Sequence, residues 1–190
     1  GQREQPREAE ADDQGRAEAR GLARRFSVLR GKTFLQLDAS SAELLTRSGV
    51  LTLVAVLPPN VVLSHVEALH NVARMAAQEM SSTPLRQFCW VDASLQREAC
   101  ACLVQELTRL RGASVQGLEK SLFWLQSCAG GRLPECSTSP LVFVAQGPKR
   151  RFTVFTSSVG EGALLSWLQR VVEGAVEYHA MQTQVLSCWN

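Results

Sequence analysis

Six cysteines stand out in a chain of 190 residues: Cys89, Cys100, Cys102, Cys128, Cys136 and Cys188. A thiol does chemistry by forming a disulfide, by ligating a soft metal or by attacking as a thiolate. Redox exchange needs a thiolate of lowered pKa with a resolving thiol one helical turn away, the C-x-x-C spacing. No pair here has that spacing, and none has the spacing of zinc ligands. His65 and His70 lie five apart, whereas two ligands sharing a helix face need a step of four. No metal site and no cofactor is expected.

Taken singly, the cysteines read as mostly structural. Cys89, between Phe88 and Trp90, is a small hydrophobe in a strand pattern. Cys100 and Cys102 project roughly 200° apart on a helix, so they do not pair with each other and one packs inward. Cys128 and Cys136 flank Gly130, Gly131 and Pro134 in a loop. That loop suits a disulfide between them, and equally suits two reduced thiols in a mitochondrial or cytosolic setting. Cys188 is free or pairs elsewhere. Outside the cysteines there is no nucleotide loop, nucleophile elbow or carboxylate pair. Gly160-Glu161-Gly162 reads as a loop before a helix rather than a phosphate site.

Composition narrows the partners. The chain is 45% apolar and 20% charged, enough to bury a core, and its net charge of +2 gives no field that calls for nucleic acid. No apolar run approaches the roughly 18 residues of a membrane span, so any membrane association would be peripheral and through a complex. The first residue is Gly1 rather than Met, as in a processed chain, and the compartment is not read from a leader.

The elements that would position any chemistry follow from periodicity. Residues 1–31 form a charged extension in which Leu22, Phe26 and Leu29 mark one short basic amphipathic stretch. Residues 32–175 carry the domain. Thr33–Leu37 alternates as a half-buried strand, and Ser40 with Glu43 suggests a capped short helix. Val50–Leu57 is continuously apolar, the mark of a strand covered on both faces, and Pro58-Pro59 ends it. Ser64 and Glu67 open a second helix with Val66, Leu69, Ala73, Ala76 and Met80 on one face. Phe88–Val91 is a third strand, after which Ser94 caps a helix carrying Ala99, Leu103 and Leu107. An insert at about residues 112–139 holds a further helix. Leu141–Ala145 and Arg151–Phe155 form a hairpin around Gly147-Pro148. A last helix spans Ala163–Glu173 with Gly174 behind it. Residues 176–190 form a tail.

Thr33 to Gly174 resembles the thioredoxin superfamily, and within it the domains of protein disulfide isomerases. Phe88-Cys89-Trp90-Val91-Asp92 resembles the family's third strand, Ser139-Pro140-Leu141-Val142-Phe143-Val144 the strand entered through a cis-proline, and Leu164–Gly174 the closing helix. The resemblance implies an α/β mixed sheet, with parallel core strands plus a C-terminal antiparallel hairpin, flanked by helices. It places the active motif just after the central strand, where this chain reads Leu57-Pro58-Pro59-Asn60 and has no cysteine. The insert is a second departure.

The expectation is therefore a redox-inactive module, not an enzyme, that binds other protein subunits or client polypeptides. One reading makes it an accessory scaffold subunit of a larger organellar assembly, with the mitochondrion favoured. The alternative is a non-catalytic isomerase-family chaperone domain of the endoplasmic reticulum lumen, with Pro58, Pro59, Val61 and Val62 as an exposed apolar patch. An oxidoreductase using Cys128 and Cys136 is the enzyme reading. Leu22, Phe26, Trp167 and Trp189 are candidate partner contacts, together with Trp124. Pro140 either preserves a peptide-docking groove beside the turn or merely shapes the strand entry.

Overall fold

The longest apolar run of the sequence becomes the centre of a sheet. A computed structural model describes residues 33–110, 117–134 and 139–181. In it β2 (Leu51–Leu57) is buried at every position, and it lies between β3 (Leu85–Asp92), which runs parallel to it, and β4 (Leu141–Gln146), which runs antiparallel. Beyond β3 a two-residue β1 (Leu35–Gln36) adds in parallel. Beyond β4 come β5 (Arg151–Phe155) and a two-residue β6 (His179–Ala180), both antiparallel. The result is a mixed six-stranded sheet of order β1-β3-β2-β4-β5-β6.

The period of two decides which side chain meets which helix. On one face Leu53, Ala55 and Leu57 join Phe88, Trp90, Val142 and Val144 against α1 (Leu63–Glu79) and α4 (Glu161–Val172). On the other, Val54 and Val56 join Cys89, Val91, Leu141 and Phe143 against α2 (Arg97–Arg109) and α3 (Glu119–Ala129). Each helix supplies a matching stripe. Val66, Leu69, Ala73 and Ala76 of α1 are buried, as are Leu164, Leu168 and Val171 of α4. Burial of a single Leu or Val of this kind stabilises by about 1.5–3 kcal/mol, so the two stripes commit the helices to their faces.

Several local expectations are corrected. Neither capping box forms. Ala42–Thr46 is a 3-10 turn with no side-chain cap, and Asp38 instead gathers the backbone N–H groups of Ser40 and Ser41 and the Ser40 hydroxyl. Helix α1 starts after Val62, not Ser64, again without a side-chain cap. Ser94 does not cap α2, which begins at Arg97; its hydroxyl donates to Asp92 Oδ1 at 2.6 Å. In each case a carboxylate close in sequence or the turn before the helix satisfies the groups first. The hairpin forms as expected, through a 3-10 turn at Gly147–Lys149 that ends with Arg150 left-handed. Strand β6 was not foreseen. Among the described residues no helix is long and apolar enough to cross a membrane.

Gly117 fixes the entry to α3. Its φ is +105°, and a Cβ there would stand 2.8 Å from the Thr156 carbonyl oxygen, a backbone atom that cannot swing aside. Gly117→Ala is expected to destabilise the protein by about 2 kcal/mol or more. For a chain of this size that lowers Tm by roughly 4–8 °C, read by thermal unfolding.

Candidate functional site

The parallel strands β2 and β3 end together, and their ends gather three loops. Leu57 O accepts from Ala93 N at 3.1 Å, which ties the end of β2 to the loop after β3. The chain then turns: Val61 N donates to Pro58 O at 3.1 Å, and α1 begins two residues later. Asn60 Nδ2 donates to Pro134 O at 3.1 Å, drawing in the loop that follows α3. That loop also touches the second one. Gly131 has φ +74°, and a side chain there would meet the Arg97 guanidinium at 3.0 Å.

These contacts correct the expected binding patch. Pro58 and Pro59 are buried and Val61 is fully so, because they close the end of the core rather than face solvent. Of the expected patch only Val62 is exposed, and Leu63 stands beside it. The loops brought in by Asn60 and Arg97 add Leu95 at 70% and Leu133 at 64% exposure. Exposed apolar residues scattered singly need no explanation, but here four come from the start of α1 and the loops after β3 and α3, segments that are bonded or packed together. Arg97 and Arg132 flank the two leucines in sequence and are themselves exposed. Sequence reading passed over Leu95 and Leu133. Their one signal was a large apolar residue in a polar loop, off any helical stripe.

The turn carries no nucleophile. His65, in the first turn of α1, is the nearest titratable group along the helix; burial lowers its pKa, and its Nδ1 is buried with no hydrogen-bond partner. Among the described residues no group of His, Cys, Asp and Glu is arranged to hold a metal ion.

The described thiols lie elsewhere. Cys89 sits in β3, Cys100 in α2 and Cys128 in the last turn of α3, all free and buried. The expected Cys128–Cys136 disulfide is therefore corrected. Cys128 is not in the loop but on the inward face of α3, where it packs into the core. It is Cys102, on the outer side of α2, that is disulfide-bonded, and its partner lies outside the described residues. Cys100 takes the inward place of that pair, its Sγ 3.6 Å from Ala93 O. Burial pushes the Cys89 and Cys100 thiols up to about 12, and for Cys100 the neighbouring Cys128 and Asp92 push the same way. Burial, helped by Asp92, also raises Cys128. None has the lowered pKa that attack on a disulfide requires.

Pro140 is likewise corrected: no peptide bond among the described residues is cis, so Ser139–Pro140 is trans. Trp167 is half-buried, its ring 5.4 Å from that of Phe155, and Trp124 is 1% exposed. Leu22, Phe26, Cys136, Cys188 and Trp189 lie outside the described residues.

No protein-family model matches the chain, and no curated protein matches it significantly. Among the described residues around the turn, the arrangement presents an apolar rim with the exposed Arg97 and Arg132 next to it in sequence.

Two outcomes follow for the thiols. Iodoacetamide applied to the native protein is expected to leave Cys89, Cys100 and Cys128 unmodified in peptide mass spectra, and to label all three after denaturation. A non-reducing digest should recover Cys102 cross-linked to a peptide carrying Cys136 or Cys188. Stability should also fall in alkali. The unfolded thiols lose their protons near pH 9.0 while Cys89 and Cys100 hold theirs to about 12, so stability drops as pH rises above 9.0. The slope is about 1.4 kcal/mol per pH unit for each thiol. Cys89→Ala and Cys100→Ala should each flatten it in denaturant titrations from pH 9 to 11.

Proposed function

We propose that this chain is a non-catalytic, thioredoxin-like binding module that serves as an accessory structural subunit of a larger organellar assembly, docking a protein partner on the rim formed by Val62, Leu63, Leu95 and Leu133. The strand order supports the fold assignment. The order β1-β3-β2-β4-β5, with the helix after β2 and the closing helix on one face and the helix after β3 on the other, supports a thioredoxin-like reading. The trans Ser139–Pro140 peptide and the helix α3 depart from the isomerase pattern. On that reading the turn Leu57-Pro58-Pro59-Asn60 corresponds to the position of the family's thiols, and its buried prolines close the end of the core.

The observation that carries the reading is the rim. Among the described residues, four of the six exposed large apolar side chains lie on the loops around this turn or at the first residue of α1. A surface that exposes leucines at 64–70% beside arginines suits a partner that covers apolar area and offers carboxylates at its edge.

A second reading is favoured by the disulfide at Cys102. Disulfides persist in oxidising compartments, which supports a redox-inactive isomerase-family domain of the endoplasmic reticulum lumen, holding client chains on the same rim. The oxidoreductase reading loses its pair of thiols, since Cys128 is buried and free.

The double variant Leu63→Glu/Leu133→Glu changes only exposed side chains and should keep its circular dichroism spectrum and Tm. Purified from its native source, the wild-type protein is expected to carry one partner in fixed stoichiometry, and the variant to bind that partner at least about tenfold more weakly. A mixed, substoichiometric set of clients would support the lumenal reading. Undiminished binding by the variant would remove the rim from both. Insulin reduction is expected to be absent; activity abolished by Cys128→Ser would restore the enzyme reading.

A further inference from the structure

The opposite end of the sheet, where β2 begins, carries a different kind of surface. Thr52, near the start of β2, pairs with Ala145 near the end of β4, so the β4–β5 turn lies here and not at the rim. The 3-10 turn Ala42–Thr46 packs against that turn. Together they bring Arg47, Lys149 and Arg150 to one end of the molecule, all three exposed.

The side chains of these cations make no hydrogen bond or ion pair with another described residue. The acids around them do not balance the charge. Glu106, which shares a small apolar cavity with Met181 beside the turn, is buried and paired with Arg109 at 3.1 Å. Glu177 is already engaged, which leaves Glu43 as the exposed carboxylate of the neighbouring 3-10 turn. Arg151, next along the chain, is held by the protein itself. Its Nε donates to Gln146 Oε1 at 2.6 Å, and its guanidinium stands 4.5 Å over the Tyr178 ring.

Arg150 is set apart by its backbone. Its φ is +47° and its ψ +50°, and among the described residues no other non-glycine has a positive φ. Glycine takes such a place without strain, whereas an arginine there costs backbone energy. Costs of this kind gather at residues kept for what they bind. The turn is also fixed at both ends: Arg150 N donates to Gly147 O at 2.8 Å, and Arg150 O accepts from Met181 N at 2.7 Å. Lys149 and Arg150 thus project from a loop with little backbone freedom left to lose on binding.

We propose that this end of the sheet docks an acidic segment of a partner polypeptide, on a surface separate from the rim. The number of cations decides the class of partner. Nucleic-acid binders neutralise on the order of 6–10 phosphates, and polybasic membrane surfaces gather about 4–8 cations. Arg47, Lys149 and Arg150 beside Glu43 suit a short run of carboxylates instead, held by charge-assisted hydrogen bonds.

The test titrates the full chain into fluorescein-labelled hexaglutamate and follows the anisotropy. Saturable binding is expected. It should weaken at least about threefold as ionic strength rises from about 0.01 M to about 0.15 M and the Debye length falls from about 30 Å to about 8 Å. Lys149→Gln and Arg150→Gly should each weaken it by about two- to fivefold. Arg150→Gly should do so while Tm stays level or rises, because glycine relieves the left-handed strain, a combination that a merely structural residue would not give. Arg132→Ala, which removes a positive charge at the rim, should leave the affinity unchanged, so this surface and the rim fail independently. Absence of saturable binding, equal weakening by Arg132→Ala, or unchanged binding by Lys149→Gln/Arg150→Gly would each overturn the proposal. Tighter binding of a DNA duplex or of phosphatidylserine vesicles, compared per charge, would overturn the partner class. Tightening of hexaglutamate by about fivefold or more on deletion of residues 1–20 would assign the surface to the chain's own acidic run, Glu8–Asp13, and remove the partner.

Discussion

Burial of β2 on both faces is the constraint from which the remaining architecture follows. A seven-residue strand with no exposed position must be roofed twice, and its alternation assigns each neighbouring strand one row of side chains per face. Helices α1 and α4 cover one row, α2 and α3 the other. The strand also has to stop without leaving its end wet. Pro58, Pro59 and Val61 do this, and the need to seal the core there is a sufficient reason for a turn rich in proline and devoid of thiols.

The same seal determines what the neighbouring loops present. Because Leu57 O and Asn60 are engaged by Ala93 and Pro134, the loops after β3 and α3 lie close to the turn, and their leucines have no core left to enter. The helix that precedes one of those loops meets the β4–β5 hairpin near its opposite end. Helix α3 thus has two ends in different surroundings: its last turn, with Cys128 packed inward, leads to the rim, and Gly117, just before its first turn, lies against Thr156 at the end of the hairpin.

Much of this was legible in the order of residues, and the reasons are local. Val50–Leu57 could only be an interior strand, and Val66, Leu69, Ala73 and Ala76 could only be a helix face, since period and burial agree there. The hairpin at Gly147-Pro148 was equally plain. Two caps were misread because Asp38 and Asp92, two residues earlier, take the hydroxyls of Ser40 and Ser94, and a third because α1 already begins at Leu63. The cysteine pairing was misread because Cys128 looked like a loop residue; helix α3 continues to Ala129 and turns it inward. Leu95 and Leu133 are far apart in sequence, and only the fold sets their loops side by side, where Gly131 meets Arg97. Strand β6 escaped notice because two residues carry no period.

The shortness of the outermost strands has its own consequence. Among the described residues β1 and β6 each contribute only two residues to the sheet, and Gln36, His179 and Ala180 are at least partly open to solvent. Edges so brief offer too few main-chain groups to template another molecule, which protects a sheet this apolar against runaway polymerisation through its sides. On the proposed function, recognition of a partner then falls to side chains rather than to strand pairing.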